Sequence, residues 1–248
     1  MLNALPQWLK RPLDASLGFF YPEVCQICES ARATADEGYV CETCRQGIRY
    51  VEPPWCECCG RPFEGEISGP FFCSDCLETR MYFSSARSVA CFEGVTREIV
   101  HRYKYNRATW FEPLLAELLV RTAAPVLFQG GWDLIMPVPL HFVKLSERGF
   151  NQAGRLALHL SRTTGIPLNT TCLKRVKYTQ TQTHLDSEER AVNVRKAFAV
   201  RRRAQIEGKS IVLVDDVMTT GATLNACARV LREAGAENVC AWTLARGV

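Results

Sequence analysis

The feature that most constrains the fold is the segment 211–223, which reads Ile-Val-Leu-Val-Asp-Asp-Val-Met-Thr-Thr-Gly-Ala-Thr. Its first four residues are apolar and three of them are β-branched, a pattern that predicts a buried strand of a parallel sheet. Helical spacing follows over residues 224–234. A buried strand that leads directly into a helix is typical of α/β domains, so the segment predicts an α/β fold.

The loop between this strand and this helix has the composition of a phosphate-binding site. Asp215 and Asp216 stand at the carboxyl end of the predicted strand, where open α/β sheets bind their ligands. The loop adds threonine hydroxyls, and Gly221 permits a positive φ and a close approach of the backbone. Backbone N–H groups at a helix start lack internal partners and carry the positive end of the helix dipole, which favours a phosphate. The alternative is an ordinary strand-turn-helix connection.

The segment also resembles, throughout its length, the phosphoribosyl pyrophosphate (PRPP) motif of type I phosphoribosyltransferases. The resemblance implies that Asp215 and Asp216 hold the ribose 2- and 3-hydroxyls and are the catalytic pair. It also implies that the following loop wraps the 5-phosphate, and that Mg²⁺ accompanies the PRPP. The implied loop residues are Val217, Thr219, Thr220, Gly221, Ala222 and Thr223. The match indicates a class of ligand and leaves the reaction open.

Four Cys-x-x-Cys pairs near the N-terminus predict metal binding. Two thiolates separated by two residues can grip one tetrahedral Zn²⁺, and a second pair completes the site. Eight ligands therefore predict two structural zinc ions, with sequential pairing as the simplest arrangement and interleaved pairing as the alternative. Cys58 could replace Cys56, and redox-active dithiols are the competing interpretation. The predicted ligands are Cys25, Cys28, Cys41, Cys44, Cys56, Cys59, Cys73 and Cys76.

Composition limits the compartment and the class of protein. The chain has 248 residues, of which 47% are hydrophobic, and no apolar run approaches the roughly 20 residues of a membrane helix. The first residues lack the pattern of a secretory signal, so a cytoplasmic location is expected. Without a secretion signal, the 13 cysteines favour metal binding over disulfide bonds.

The charges divide the chain into two parts. Residues 1–80 carry 7 Lys or Arg against 12 Asp or Glu, whereas residues 81–248 carry 23 against 14. Basic charge beside the phosphate motif is consistent with a polyanionic ligand or nucleic acid. The acidity of the cysteine-rich part argues against a DNA-binding finger and favours a docking role. We expect two domains, a zinc ribbon segment over residues 1–80 and the α/β domain over residues 81–248.

Several further elements follow from periodicity and composition. Strands are predicted within 81–95, 133–138 and 238–244, and helices over 96–107 and 112–121. Arg102, Lys104 and Arg107 are expected on a solvated helix face, with an anion-binding rim as the alternative. A polar segment over 175–197 is either a lid that orders on a ligand or a disordered connector.

A second basic segment lies between the strand at 133–138 and a helix that is expected to run from Phe150 to Thr164. We expect residues 140–149 to form a loop. In phosphoribosyltransferases a loop in this position holds the pyrophosphate, and by this positional resemblance Lys144 and Arg148 would take that role. His141 lies in the same loop, where a packing or surface role is the more common one.

The whole pattern resembles the ComF/GntX family of competence-associated phosphoribosyltransferase-like proteins. It comprises the cysteine pairs, Arg148-Gly-Phe-Asn-Gln152, Gln182-x-x-Leu185, Arg190, Asn193, Ala197-Phe198 and the PRPP motif. The family implies a zinc ribbon followed by a parallel sheet with helices on both faces. It also implies a PRPP- or nucleotide-binding accessory protein linked to uptake or use of external DNA. Candidate partners are single-stranded DNA and competence or DNA-processing proteins. The alternative is an active Mg²⁺-dependent transferase that acts on an unidentified nitrogenous base.

Overall fold

The computed structural model describes residues 23–177 and 196–247. Gln182, Leu185, Arg190 and Asn193 of the family pattern, and the central part of the expected lid, lie outside the described residues. Within the described ranges, the helices are all too short or too polar to cross a membrane.

The described chain alternates helices and strands after a cysteine-rich beginning. Its elements are, in order, α1 (Glu42–Gln46), α2 (Ser74–Glu78), β1 (Ser85–Cys91), α3 (Gly94–Tyr105), α4 (Glu112–Leu127), β2 (Leu134–Pro137), α5 (Phe142–Arg148), α6 (Gln152–Thr164), β3 (Leu173–Arg175), β4 (Phe198–Val200), β5 (Ser210–Met218), α7 (Ala222–Glu233) and β6 (Asn238–Arg246). Short 3₁₀ turns occupy Thr109–Phe111 and Arg203–Gln205. The predicted strands and helices are thus present, with shifted ends.

A parallel sheet of four strands in the order β1-β6-β5-β2 forms the centre of the molecule. The strand that carries the acid pair is therefore an interior strand. β3 and β4 form a separate antiparallel pair, which packs against α7. In the sequence, β3 ends at the start of the expected lid and β4 follows its end.

Apolar side chains cover both faces of the sheet, which explains the unbroken apolar run at 211–214. Ile211 and Leu213 pack on the face that carries α7, whereas Val212 and Val214 pack on the face that carries α3, α4 and α6. Successive side chains of a strand point to opposite faces, so a strand buried on both sides needs an apolar residue at every position. The predicted parallel sheet with helices on both faces is confirmed.

The structure differs from the predicted elements at three places. β5 continues to Met218, so that Asp215 lies inside the paired strand opposite Thr243. The expected loop over 140–149 was wrong, because α5 occupies most of it. Helix α4 extends to Leu127 and continues past Pro125.

Two cysteine-rich units contact different parts of the α/β domain. The first unit holds Cys25 to Cys44 and the second holds Cys56 to Cys76. The second unit joins the core beside α7, and the backbone N–H of Ala86 donates to the carbonyl of Cys58 at 2.7 Å. A side chain at Gly60 would place its Cβ 2.5 Å from the carbonyl oxygen of Ala86. The first unit contacts α3 and α4, where Arg45 pairs with Glu117 at 3.4 Å. A domain boundary near residue 80 stays a prediction.

Candidate functional site

The loop after β5 forms a small concave site at the start of α7. Gly221 is the residue that precedes the helix, and its φ of 79° places it in the left-handed region that glycine adopts without strain. The loop encloses a cavity of about 40 Å³, which has room for a group of phosphate size. Its walls are formed by Asp215, Val217, Met218, Thr219, Thr220, Gly221, Ala222, Thr223 and Leu224.

Asp216 does not line this cavity but forms an ion pair with a helix from the other side of the sheet. Its carboxylate lies 2.8 Å from the ammonium of Lys104 on α3, and the two side chains are only 11% and 16% exposed. The solvated-face interpretation was therefore wrong for Lys104. The spacing held a signal for this contact, because Lys104 lies four residues after the buried Val100 and so on the flank of the buried stripe.

Asp215 projects towards the opposite side of the sheet, near α7 and β3. The pKa of Asp215 is raised to about 7, first because protein surrounds the carboxyl and second because of the negative charge on Asp216. The positive charges of Lys104 and Arg175 act in the opposite direction, as does a hydrogen bond from the backbone N–H of Asp216. The acid pair therefore divides into a member that faces the cavity and a member that is held by a lysine.

One arginine, Arg175, lies close to Asp215. Arg175 on β3 interacts electrostatically with Asp215 and with Arg148, and its guanidinium lies 5.4 Å from the centroid of the Phe198 ring. Burial lowers the pKa of Arg175. Sequence reasoning placed Arg175 only at the start of the expected lid, and no local pattern marks it as part of a site. Strand β3 therefore brings a cation to the acid pair.

The basic segment around α5 approaches Arg175 through Arg148. Its guanidinium lies over the ring of Tyr105 at 5.2 Å and donates to the side-chain oxygen of Gln152 at 3.2 Å. Arg107 donates to the carbonyl of Glu147 at 2.8 Å, which ties this helix to the end of α3. Lys144 lies on α5, and its role in binding stays a prediction.

The ring nitrogen Nδ1 of His141 accepts from the N–H of Val143 at 3.4 Å at the start of α5. His141 is 9% exposed, in keeping with a packing role.

The eight predicted zinc ligands form two groups of four, each made by consecutive pairs. The sulfur atoms of Cys25, Cys28, Cys41 and Cys44 lie within 4.8 Å of one another, and so do those of Cys56, Cys59, Cys73 and Cys76. Two Sγ–Sγ distances are 3.8 Å and 3.6 Å, close to the edge of about 3.8 Å that a tetrahedron with Zn–S bonds of about 2.3 Å would have. This is the sequential arrangement. Cys58 lies outside both groups.

The two groups repeat the same backbone geometry. The third cysteine of each group immediately precedes a short helix that carries the fourth, and its backbone N–H donates to the sulfur of the first at 3.4 Å in both. Backbone donors of this kind stabilise thiolates, and four thiolates complete the coordination of a structural zinc ion. The residues present therefore fit two closed Cys₄ zinc sites.

Comparison with known proteins agrees with this architecture. A family model described as a double zinc ribbon domain matches residues 16–77, and one described as a phosphoribosyl transferase domain matches residues 130–247. The Competence protein F of Haemophilus influenzae is 31% identical over 231 residues, which cover 92% of this chain and 98% of that protein. The chain belongs to the ComF family.

Other ComF relatives match over most of their length. The DNA utilization protein YhgH of Salmonella typhi is 32% identical over 91% of this chain and 97% of its own. The Competence protein ComFC of Bacillus subtilis is 30% identical over 84% of each chain. Among solved structures, a glutamine PRPP amidotransferase from B. subtilis superposes on 52% of this chain and 25% of its own at 26% identity, with a TM-score of 0.36. That score is too low to support an argument. The resemblance inferred from the sequence is confirmed.

Proposed function

We propose that this ComF protein binds the 5-phosphate and ribose of PRPP, or of a nucleotide, at the loop that follows β5, and serves the uptake or use of DNA. The observation that carries the proposal is the left-handed Gly221 at the start of α7, beside a cavity of phosphate size lined by three threonines and Asp215. The N–H groups of the first helical turn have no partners within the helix and can donate to the phosphate oxygens.

The two acids take different parts in this proposal. Asp215 lies on the cavity wall and is the nearer candidate for the ribose hydroxyls, while Lys104 holds Asp216 at the base of the site. Mg²⁺ bound with PRPP would neutralise the pyrophosphate and orient it. Arg175 supplies positive charge near Asp215 for the same pyrophosphate, and Arg148 lies near Arg175. Lys144, on the same helix as Arg148, is the third basic candidate.

The link to DNA rests on the relatives. Those proteins are named for competence and for DNA utilization, and they match this chain over at least 84% of its length. The strongly basic composition of residues 81–248 agrees with a polyanionic partner such as single-stranded DNA. A cytoplasmic location and contacts with DNA-processing proteins belong to the same proposal.

Turnover is the second candidate function, because the region matched by the phosphoribosyl transferase model contains both acids with cations beside them. Binding and turnover are separated by two measurements. Titration calorimetry with Mg²⁺ and PRPP should show binding that is lost when Asp215→Asn and Thr220→Ala are combined. Pyrophosphate release should then be measured across a panel of nitrogenous bases, and release with one base would establish the transferase.

Absence of heat with PRPP and with every nucleoside phosphate would refute the binding site itself. For DNA, the affinity for a single-stranded oligonucleotide should fall steeply with salt, because each neutralised phosphate releases counterions. An affinity that is independent of salt would refute contacts with the DNA backbone.

A further inference from the structure

Arg246 is a buried charge between the second zinc site and residues 218–223, the end of β5 and the start of α7, which we call the phosphate loop. It is the last residue of β6 and is 2% exposed. None of the ion pairs found among the described residues includes it. A buried guanidinium is costly unless it is hydrogen-bonded and neutralised. The positive charge of Arg246 must therefore be compensated by the carbonyl oxygens and the sulfur atom that surround it.

One terminal nitrogen of the guanidinium, Nη2, lies next to the second zinc site. Nη2 lies 3.7 Å from the sulfur of Cys59, which belongs to the second Cys₄ group. Four thiolates around one Zn²⁺ carry a net negative charge, so the zinc-bound group is a counter-ion for Arg246.

The other terminal nitrogen of the guanidinium, Nη1, donates hydrogen bonds to backbone carbonyl groups of the phosphate loop and of Gly247. Nη1 donates to the carbonyl oxygens of Met218 at 3.1 Å and Gly247 at 2.9 Å, and also to that of Thr219. In a planar trans peptide the N–H points opposite to the C=O. The N–H groups of Thr219 and Thr220 therefore point away from Arg246, and both residues line the cavity.

We propose that Arg246 is a positioning residue that couples zinc at the second Cys₄ site to phosphate binding. The zinc-bound thiolates hold the guanidinium, and the guanidinium turns the loop carbonyls away from the phosphate. This inference rests on the proposed function, because it concerns the same phosphate loop. Binding couplings are reciprocal, so the phosphate ligand also increases zinc retention at the second site.

The test compares Arg246→Met with Arg87→Met in the full, zinc-loaded chain. Arg87 is the matched control because it also joins the second ribbon to the sheet, donating to the carbonyl of Glu57 at 2.8 Å, but it does not touch the phosphate loop. By titration calorimetry, Arg246→Met should weaken the affinity for Mg²⁺-PRPP by at least about tenfold, the effect of one lost charged hydrogen bond. Arg87→Met should change that affinity by less than about threefold.

Zinc retention gives a second readout that does not depend on activity. At a fixed concentration of a chromogenic chelator, Arg246→Met should lose one of its zinc ions more readily than Arg87→Met. Saturating PRPP should increase retention of that zinc in the wild type but not in Arg246→Met. Equal zinc retention in both variants, with or without PRPP, would overturn the coupling.

Two further measurements keep the inference testable if a variant is unstable or PRPP does not bind. Arg246→Lys keeps the charge but cannot bridge the sulfur and the carbonyls, so it should retain zinc and still lose PRPP affinity. Wild-type PRPP affinity in Arg246→Lys would refute the bridging role.

If the wild type itself binds no PRPP, the proposed function fails, whereas amide hydrogen exchange over residues 218–223 still tests whether Arg246 holds the loop. Faster exchange there in Arg246→Met than in Arg87→Met is expected, and equal exchange refutes it.

Discussion

Replacing Lys104 by methionine should destabilise the protein far more than an ordinary surface substitution. The Lys104–Asp216 pair is short, at 2.8 Å, and both side chains are largely buried. Removing one partner of a buried pair leaves an uncompensated charge, which costs about 3–5 kcal/mol. Because the pair retains some solvent contact, we expect a loss near the lower end, about 3 kcal/mol.

Lys209→Met provides a matched control for Lys104→Met. Lys209 pairs with Asp133 at 3.1 Å, but these side chains are 46% and 37% exposed. An exposed pair contributes about 1 kcal/mol or less. Urea unfolding of both variants at neutral pH, followed by tryptophan fluorescence and circular dichroism, gives the two free energies of unfolding.

A double-mutant cycle identifies the cause of the loss. Asp216→Asn removes the charge that Lys104→Met leaves unpaired, so the double variant should recover much of the stability lost by Lys104→Met. If Lys104→Met lost no more free energy of unfolding than Lys209→Met, and positions 104 and 216 showed no coupling energy, the assignment of Lys104 to the acid pair would be refuted.

Three further results are expected. Asp215→Asn should raise the melting temperature above about pH 7 and have little effect at low pH. The pKa of the Asp215 carboxyl is about 7 in the folded protein, against an ordinary value of 3.8. The free energy of unfolding of the wild type is therefore highest below pH 3.8 and falls as pH rises through 7, by up to about 4 kcal/mol, because the buried carboxyl must ionise. Equal melting temperatures of wild type and variant at high pH would contradict this. Elemental analysis should give two zinc ions per chain, unchanged in Cys58→Ser and reduced in Cys41→Ser, and loss of zinc from Cys58→Ser would make Cys58 a ligand. Gly221→Ala should weaken PRPP binding, because alanine is strained at φ 79° and its Cβ would displace the terminal methyl of Met218, 2.7 Å away, within the cavity wall. Gly208→Ala, at φ 69° in open space, should cost only about 1 kcal/mol of stability and leave the affinity unchanged. Equal affinities would place the phosphate elsewhere.

The short helix α5 shows where hydrophobic periodicity cannot predict a helix. Its larger apolar side chains include Phe142 and Leu145, which are 73% and 42% exposed. Prediction of a helix relies on an apolar stripe that turns towards the core, and α5 presents these two residues to the solvent instead. The segment was therefore expected to be a loop.

The sequence by itself determined the parts of this protein that are local in the chain. The strand, acid pair, glycine loop and helix follow one another without interruption, and Cys-x-x-Cys spacing fixes which sulfur atoms one turn can present to a metal. These features depend on backbone conformation over a few residues. The family pattern follows from the same local motifs.

Only the tertiary structure decided which distant residues meet these motifs. Lys104 reaches Asp216, Arg175 approaches Asp215, and Arg246 joins the loop after β5 to Cys59. Each contact depends on the strand order β1-β6-β5-β2 and on the face of the sheet that each helix covers. No local pattern encodes that arrangement, because it is set by the burial of both sheet faces together.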